Sequence, residues 1–456
     1  MVKSAACPYA ECEFTMPQAI DLLIEPRWLI PVEPAGVTLE DHAVAILDGR
    51  IVGIAPVAEA RTHYAPAQRV ELPHHVLVPG LVNLHCHAAM TLLRGYADDL
   101  PLMTWLKEYI WPAEGRLVSP AFVRDGTLLA CAEMLKGGIT CFNDMYFFPQ
   151  AAAEAALKVG MRAALGIIVT EFPTPYAADA EDYLKKGLQT RDDFAREKLL
   201  SFCLAPHAPY TVSDTTFERV QTLAEQLDLP IHVHLHETAT EIKESMTHHG
   251  VRPLARLHRL GLVSPRLIAV HGVHLNEEEL ALLAKNGASL AHCPTSNMKL
   301  ASGIAPVASA AAHGVNVGLG SDGAASNNRL DLFQEMRQAA LLAKVSRSDA
   351  AVLEAHQVLS MATLGGARAL GLENRIGSIV AGKEADLCAV DLSAPELAPC
   401  YHPVSHLLYA AGREHVSHVW IGGAPRVMDG KLLQNINVAC QDIASHWQNK
   451  LRYCPD

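Results

Sequence analysis

The chain has 456 residues, of which 50% are hydrophobic and 19% are charged. This composition predicts a folded protein with a large core and excludes a disordered chain. The formal net charge of −12 argues against nucleic acid and anionic membranes as partners, because both would repel the protein.

The cysteines and the first residues bear on the cellular compartment. The eleven cysteines are scattered and form no CxxC pair, which is typical of reduced thiols. The opening segment, MVKSAACPYAECEF, lacks the apolar stretch of a secretory signal. No segment approaches the roughly 20 apolar residues that a membrane span requires. We therefore expect a cytoplasmic protein with no membrane partner.

The two ends of the chain have similar patterns. Near the start, DLLIEPRWLIPV, HAVAILDGRIVGIAP and QRVELPHHVLVPG alternate apolar and polar residues and break at Asp-Gly and Pro. Near the end, GSIVAGKEADLCAVDL and HVSHVWIGGAPRVMDGKLL repeat this pattern. Neither set of short strands is long enough for a core of its own. We therefore expect residues 1–76 and 373–456 to form one small β-sandwich together.

Between these ends, residues 77–372 alternate short apolar strands with helical segments. The eight strand candidates are LVNLH, ITCFND, RAALGIIVT, LSFCLAPH, IHVHLHE, LIAVHGV, ASLAHCP and NVGLGSDG. Each is followed by a connection long enough for a crossover helix, as a TIM-like (β/α)₈ barrel requires. A doubly wound open sheet is the competing fold, but no Gly-rich dinucleotide turn follows the first strand. The pattern favours the barrel.

The first barrel strand ends in two histidines that flank a cysteine. Side chains two residues apart on a strand share a face, so His85 and His87 can reach one ion while Cys86 points away. A single histidine at such a place is usually a hydrogen-bonded core residue. Histidines at successive strand ends of one barrel instead favour a metal site.

The later strand ends supply further candidate ligands. His232, His234 and His236 share one strand face. Only the residue at the end of the strand can meet the ion, and the other two are expected to be packed or hydrogen-bonded imidazoles. Asp322, in LGSDGAAS, is the natural carboxylate ligand, although a Ser-Asp-Gly turn is common without a metal. Imidazoles with a carboxylate suit Zn²⁺ or Fe²⁺ better than Mg²⁺ or Ca²⁺, and an open position for water makes such a site catalytic.

Six motifs, taken together and in this order, resemble the amidohydrolase superfamily, in its branch of 5′-methylthioadenosine/S-adenosylhomocysteine deaminases. They are PGLVNLHCHAAMTLLRGYADDLPLMTWL, APHAPYTVS, HVHLHET, HGVHL, HCPTSNMKLASG and GSDGAASNN. The resemblance covers nearly the whole chain. It implies a metal-dependent barrel hydrolase that holds one divalent metal per chain, with zinc favoured over iron(II). It also implies a homo-oligomer, either a dimer or a tetramer.

The resemblance also assigns roles to individual residues. The implied metal ligands are His85, His87, His234 and Asp322. The implied catalytic groups are Glu237, as an acid/base carboxylate, His271, beside the attacking water, and Asp322, as a proton acceptor. The implied substrate contacts are Glu114, which would hold ribose hydroxyls, His207, Glu237 and Asp322.

The reaction implied is hydrolytic deamination at carbon six of an adenine nucleoside, with 5′-methylthioadenosine favoured and S-adenosylhomocysteine or adenosine as further substrates. Relatives that accept S-adenosylhomocysteine often carry an arginine for its distal carboxylate, and by count the corresponding residue here is Ile167. A smaller apolar 5′ substituent would then fit better. The alternatives are an amidohydrolase for a guanine, pterin or triazine ring and a non-catalytic metal-binding barrel.

Overall fold

A computed structural model describes residues 17–433 and 436–452 of the chain. The opening segment on which the expectation about a secretory signal depends, residues 1–14, lies outside these residues. Within the described ranges, no helix is long and apolar enough to cross a membrane.

The strands are numbered along the chain. They are β1 (Gln18–Leu29), β2 (Leu39–Glu40), β3 (His42–Leu47), β4 (Arg50–Pro56), β5 (Tyr64–Pro79), β6 (Leu81–Cys86), β7 (Ile139–Asp144), β8 (Arg162–Val169), β9 (Leu200–Pro206), β10 (Ile231–Leu235), β11 (Leu267–His271), β12 (Ser289–His292), β13 (Asn316–Leu319), β14 (Leu387–Asp391), β15 (Val416–Ile421), β16 (Ala424–Met428) and β17 (Lys431–Leu432).

The helices are numbered in the same way. They are α1 (Val57–His63), α2 (Leu102–Thr104), α3 (Trp111–Leu117), α4 (Pro120–Lys136), α5 (Pro149–Val159), α6 (Ala180–Asp193), α7 (Asp214–Leu227), α8 (Ala239–His249), α9 (Pro253–Arg259), α10 (Glu277–Lys285), α11 (Pro294–Lys299), α12 (Val307–Ala312), α13 (Leu332–Arg347), α14 (Ala355–Ser360), α15 (Gly366–Ala369), α16 (Pro403–Tyr409) and α17 (Ile436–Arg452). Short 3₁₀ turns lie at Ala88–Leu93, Pro395–Leu397 and Arg413–His415, and π-helical turns lie at Trp105–Ile110 and Met361–Gly365.

The central part of the chain is a parallel barrel. Strands β6 to β13 pair side by side in chain order, every pair parallel, and helices cross over between them. The ring closes beside β13, where the amide of Asp322 donates to the backbone oxygen of His85 over 3.0 Å. All eight predicted strand segments therefore form strands, and the predicted (β/α)₈ barrel is confirmed.

Side-chain caps fix the starts of several barrel helices. Each capping side chain accepts a hydrogen bond from a backbone N–H of the first turn, which otherwise has no partner inside the helix. These caps are Ser119, Asp179, Ser213, Thr238, Asn276 and Asp331. Each cap fixes the residue at which its helix starts. The loop between the carboxyl end of the preceding strand and that helix therefore has a fixed length.

The remaining strands form one mixed sheet built from both chain ends. Its order is β17-β16-β15-β14-β5-β1-β3-β4, with β2 beside β1. The two ends meet on β5, which pairs with β1 in parallel and with β14 antiparallel, Leu77 lying opposite Ala389. The sheet curves back on itself, so that its two halves face each other. The turn between β3 and β4 hydrogen-bonds to the segment before β14, where the amide of Ala385 donates to the backbone oxygen of Gly49 over 2.9 Å.

An apolar core fills the fold of this sheet. It includes Ile24 and Ile46 from the N-terminal end with Leu387 and Trp420 from the C-terminal end, each at most 1% exposed. The two ends thus share one core, as expected, with one difference. The strands belong to a single continuous hydrogen-bonded sheet, because β5 bonds to both halves. The limits at residues 76 and 372 stay a prediction.

A buried ion pair joins the barrel to this sheet. Arg162, at the start of β8, is 2% exposed and donates from Nε to Asp386 Oδ2 over 2.9 Å and from Nη2 to Glu384 Oε2 over 2.5 Å. Both carboxylates lie just before β14. Two carboxylates neutralise and orient the buried guanidinium, which fixes the shared sheet against the barrel.

Candidate active site

Five side chains converge at the carboxyl ends of the barrel strands. The Nε2 atoms of His85 and His87 lie 3.2 and 3.3 Å from Asp322 Oδ1. One ligand atom from each of His85, His234 and His271 also lies within 4.8 Å of the other two. The four predicted metal ligands and His271 therefore surround one point, at the barrel end where active sites of this fold lie.

The backbone turns sharply at three of these strand ends. His236 follows β10 with φ of 56°, His271 ends β11 with φ of 71°, and Asp322 follows β13 with φ of 58°. Positive φ is uncommon for residues other than glycine and is concentrated at functional sites. Each turn leaves the strand direction, so strand alternation no longer decides where these side chains point.

Most of the imidazoles are oriented by a carbonyl oxygen that does not belong to the five converging side chains. Nδ1 donates to such an oxygen in His87 (Met145, 2.6 Å), His234 (His207, 2.7 Å) and His271 (the Asn297 side chain, 2.9 Å). A carbonyl can only accept, so Nδ1 carries the hydrogen and Nε2 keeps a free lone pair. Metal-binding histidines in proteins have this outer partner.

His85 provides the test of whether the residues fit a metal. Its Nε2 is buried and has no hydrogen-bond partner within the described chain, although Asp322 Oδ1 is near. Its Nδ1 lies 3.0 Å from Nε2 of His232. Burial lowers the pKa of His85 to about 4 and holds the pKa of His234 well below its usual value, so both rings are neutral. Neutral imidazoles with an unpaired inward nitrogen and a carboxylate fit a divalent ion such as Zn²⁺ or Fe²⁺.

Asp322 is held as a carboxylate by neighbouring donors. Its Oδ2 accepts from the hydroxyls of Ser296 (2.6 Å) and Ser326 (2.9 Å), and its Oδ1 accepts from the amide of Gly323 (2.7 Å). Hydrogen bonds of this kind favour the charged form and fix the direction of both oxygens.

Glu237 lies beside this group of ligands. It is 7% exposed, its Oε2 is 3.9 Å from Nε2 of His271, and its Oε1 accepts from the hydroxyl of Ser302 over 3.4 Å. Burial raises the pKa of Glu237 above its ordinary value. A buried carboxyl with a raised pKa next to a candidate metal site is suited to proton transfer.

The three histidines of IHVHLHE do not all share one face, so that expectation is wrong for His236. His232 and His234 lie in β10 and contact His85 from one side. The left-handed backbone at His236 turns its ring away, and its Nε2 accepts from the amide of Leu254 over 3.0 Å. His236 is therefore a structural residue, while His234 faces the candidate metal site.

A cavity of about 280 Å³ opens over this site. His207, Glu237, His271 and Asp322 line its polar end. Its wall is largely apolar and includes Leu102, Trp105, Leu106, Ile110, Trp111, Phe147 and Phe172. Within the described part of the chain, no lysine or arginine lines it.

Glu114, the implied ribose contact, lies in the wall of this cavity. It is 9% exposed, and the hydroxyl of Tyr146 donates to its Oε1 over 2.7 Å. Burial raises the pKa of Glu114 to about 7. His207 also lines the cavity, with its Nδ1 3.0 Å from the hydroxyl of Thr211.

The side chain of Ile167 does not face the cavity. Its side chain is fully buried behind the barrel, against α6, where a Cβ added to Gly187 would lie 2.2 Å from Ile167 Cγ2. Ile168 lines the cavity instead. Adjacent strand residues face opposite sides, so a count that is off by one residue selects the wrong face.

Several supporting residues were not predicted from the sequence. Ser296 and Asn297 lie in the motif HCPTSNMKLASG, and Ser326 lies in GSDGAASNN. The motifs therefore include these residues, but the sequence assigned them no function. Tyr146, the partner of Glu114, follows ITCFND and had no signal of its own. These residues act by orienting other side chains, which single-sequence spacing does not reveal.

Comparison with known proteins agrees with this architecture. Residues 76–426 match the amidohydrolase family. A relative in Teredinibacter turnerae, named 5-methylthioadenosine/S-adenosylhomocysteine deaminase, is 45% identical over 95% of this chain and 98% of its own length. A relative of the same name in Saccharophagus degradans is also 45% identical, over 95% of this chain and 97% of its own length.

Solved structures give the same result. The chain is similar to an adenosine deaminase from Xanthomonas campestris with bound zinc, at 50% identity, with a TM-score of 0.95, over 96% of this chain and all of the other. Atrazine chlorohydrolase from Arthrobacter aurescens, at 22% identity, with a TM-score of 0.87 over 93% of this chain and all of its own, shares the fold. The chain therefore belongs to the amidohydrolase family, among the relatives named 5-methylthioadenosine/S-adenosylhomocysteine deaminase.

Proposed function

We propose that this protein is a metal-dependent hydrolase that removes the amino group from carbon six of an adenine nucleoside. The products are the inosine analogue and ammonia. One observation carries the proposal: the carboxyl of Glu237 faces the cavity beside the ligand group but is not needed as a ligand. The relatives named as methylthioadenosine or adenosine deaminases support the choice of an adenine nucleoside.

His85, His87, His234 and Asp322 would hold one divalent metal. Zinc is favoured, because the 50% identical relative from Xanthomonas campestris has bound zinc, and iron(II) is the alternative. When bound, such a metal would lower the pKa of water at the site from its bulk value toward ~7, which would make a nucleophile available at neutral pH.

The protein's own groups then move the protons. Asp322 and His271 would orient the attacking water and take its proton. Glu237 would donate a proton to the ring nitrogen next to carbon six, so that negative charge does not build up on the purine. The proton taken by Asp322 would pass to the amino group, which leaves as ammonia. As the C=O bond forms, the hydroxyl proton at carbon six would return to Glu237, which restores both carboxyl groups to their starting states. A carboxyl that is not a ligand has this role in zinc nucleobase deaminases.

Glu114 and His207 would hold the sugar. Tyr146 uses one oxygen of Glu114, and the second oxygen can accept from ribose hydroxyls. Hydroxyl donors bind a carboxylate more strongly than a protonated acid, because charge-assisted hydrogen bonds are the stronger kind.

Nucleoside binding is accordingly expected to weaken as the pH falls through about 7. The pKa of Glu114 is raised by burial to about 7, so the carboxylate is present above that pH and is lost below it. We expect KM for methylthioadenosine to rise between about pH 8 and pH 6, and this rise to be missing in Glu114→Gln. The measurement is steady-state kinetics across this range, with the exposed Glu108→Gln as the matched control. A wild-type KM that is flat over the range would contradict the role of Glu114.

The cavity also supports a preference for an uncharged 5′ substituent. The homocysteine tail of S-adenosylhomocysteine carries an ammonium and a carboxylate, and no lysine or arginine of the described chain lines the cavity. A charge that leaves water without a partner is costly. A methylthio group would instead pack against the tryptophans and leucines of the wall. We therefore propose methylthioadenosine as the preferred substrate, with adenosine also accepted.

A panel of four compounds tests this function. Ammonia release is measured with metal-loaded protein on methylthioadenosine, adenosine, S-adenosylhomocysteine and guanine. We expect kcat/KM for methylthioadenosine to exceed that for S-adenosylhomocysteine by at least about tenfold, which corresponds to one poorly paired polar group. Guanine should be inert. Turnover of guanine alone, or of none of the four, would overturn the proposal.

The homo-oligomer, either a dimer or a tetramer, and the cytoplasmic location stay predictions from the sequence. The proposed partner is a small purine nucleoside, with no nucleic acid.

A further inference from the structure

A second carboxylate lies directly behind Glu237. Glu241 is in the first turn of α8 and is 5% exposed. Its Oε1 accepts from the amide of His236 over 2.9 Å, and its Oε2 accepts from the amide of Glu237 over 2.8 Å. Each carboxylate oxygen of Glu241 thus accepts from one of two consecutive backbone amides. A glutamine could accept from only one of them, because its second terminal atom is itself a donor.

These two amides need a partner because the strand has ended. β10 stops at Leu235, and His236 takes the left-handed conformation with φ of 56°. Two further hydrogen bonds hold this turn. The backbone oxygen of His236 accepts from the amide of His274 over 2.9 Å, and the ring Nε2 of His236 accepts from the amide of Leu254. A strained turn persists only where its surroundings hold it in several places.

Glu241 is not needed to cap its own helix. The hydroxyl of Thr238 accepts from the amide of Glu241 over 3.1 Å and caps α8. In an ordinary capping box, the third helical residue returns to the amide of the capping residue itself. Glu241 instead reaches past Thr238 to the amides of the two preceding residues, His236 and Glu237. The second of these residues is the proposed acid.

The side chain of Glu237 is held weakly by comparison. Its contacts to Ser302 and His271 are long, at 3.4 and 3.9 Å. Its direction therefore depends on the backbone from which it leaves. We infer that Glu241 is a positioning residue, which fixes the backbone of Glu237 so that its carboxyl meets the purine ring. The inference rests on the proposed function, since it assigns Glu237 the proton transfer.

The test compares Glu241→Gln with Glu244→Gln, which makes the same change on an exposed residue of the same helix. We expect Glu241→Gln to lower kcat about 10- to 100-fold, because small misplacement of a reacting group has effects of this size. KM for methylthioadenosine and the metal content should stay unchanged, and Glu244→Gln should behave as wild type. The double variant Glu237→Gln/Glu241→Gln should be no slower than Glu237→Gln alone, because Glu241 acts through Glu237.

Amide hydrogen exchange makes the test independent of activity. The amides of His236 and Glu237 should exchange faster in Glu241→Gln than in wild type or Glu244→Gln. Unchanged exchange would overturn the inference, whatever the activity. A loss in the double variant that multiplies the two single losses would also overturn it, because Glu241 would then act by another route. Wild-type protein that is inert on every nucleoside would instead overturn the proposed function.

Discussion

Replacing Glu237 by Gln is expected to lower kcat for methylthioadenosine by about 10³-fold, in the middle of the range for general acid–base groups. The amide keeps the size and the contact to Ser302 but cannot deliver a proton to the ring nitrogen. Without that proton, negative charge builds up on the purine as the water oxygen adds to carbon six. The loss corresponds to about 4 kcal/mol of transition-state stabilisation.

The metal content distinguishes the loss of a proton donor from damage to the metal site. Glu237 is not among the proposed ligands, so the Glu237→Gln protein should bind as much metal as wild type, as measured by elemental analysis. KM should also change little, because the ribose contacts and the apolar wall remain. Wild-type turnover in this variant, or loss of its metal, would show that Glu237 has another role.

Removing the metal is expected to reduce turnover by at least about 10³-fold, since metal catalysis of this kind contributes several kcal/mol. Dialysis against a chelator should remove the activity, and adding back Zn²⁺ or Fe²⁺ should restore it. The ion that restores more activity per metal bound is the better candidate for the cofactor. Turnover that survives complete removal of metal would contradict the assignment of the ligand group.

A ligand variant makes the same test at one residue. His234→Ala removes one imidazole whose Nε2 faces the site, and we expect it to bind less than one metal per chain and to have lost activity. His248→Ala, on the exposed side of α8, is the matched control and should keep both. Normal metal content in His234→Ala would exclude it as a ligand.

The barrel could be predicted from the sequence because its strands give a simple signal. Each is a short apolar run that stops at a polar residue and is followed by a helical segment, and all eight such runs are strands. The joining of the two chain ends could be predicted because neither set of strands can bury a core alone. That the ends form one continuous sheet depends on β5, which pairs with both halves, and no local pattern shows this pairing.

Strand alternation alone predicts which way a side chain faces only where the backbone stays regular. The alternation of a strand places His232 and His234 on one side, but it fails at His236, where φ becomes positive. A shift of one residue reverses the face of a strand residue, and in β8 it is Ile168, not Ile167, that faces the cavity.

The apolar wall and the burial of Glu114 also escaped prediction. They depend on a helical stretch that contains the π-helical turn Trp105–Ile110. Such turns are rare and frequently occur at functional sites, and they have no recognised sequence signal. Which side chains of this stretch face the cavity is decided by tertiary packing.

The most direct measurement follows the oxygen atom. Metal-loaded protein converts methylthioadenosine in water labelled with ¹⁸O, and the purine product is analysed by mass spectrometry alongside ammonia release. Hydrolytic deamination predicts one labelled oxygen at carbon six and one ammonia for each product formed. A product that keeps its amino group, ammonia released without label in the purine, or unchanged methylthioadenosine would contradict the proposed reaction.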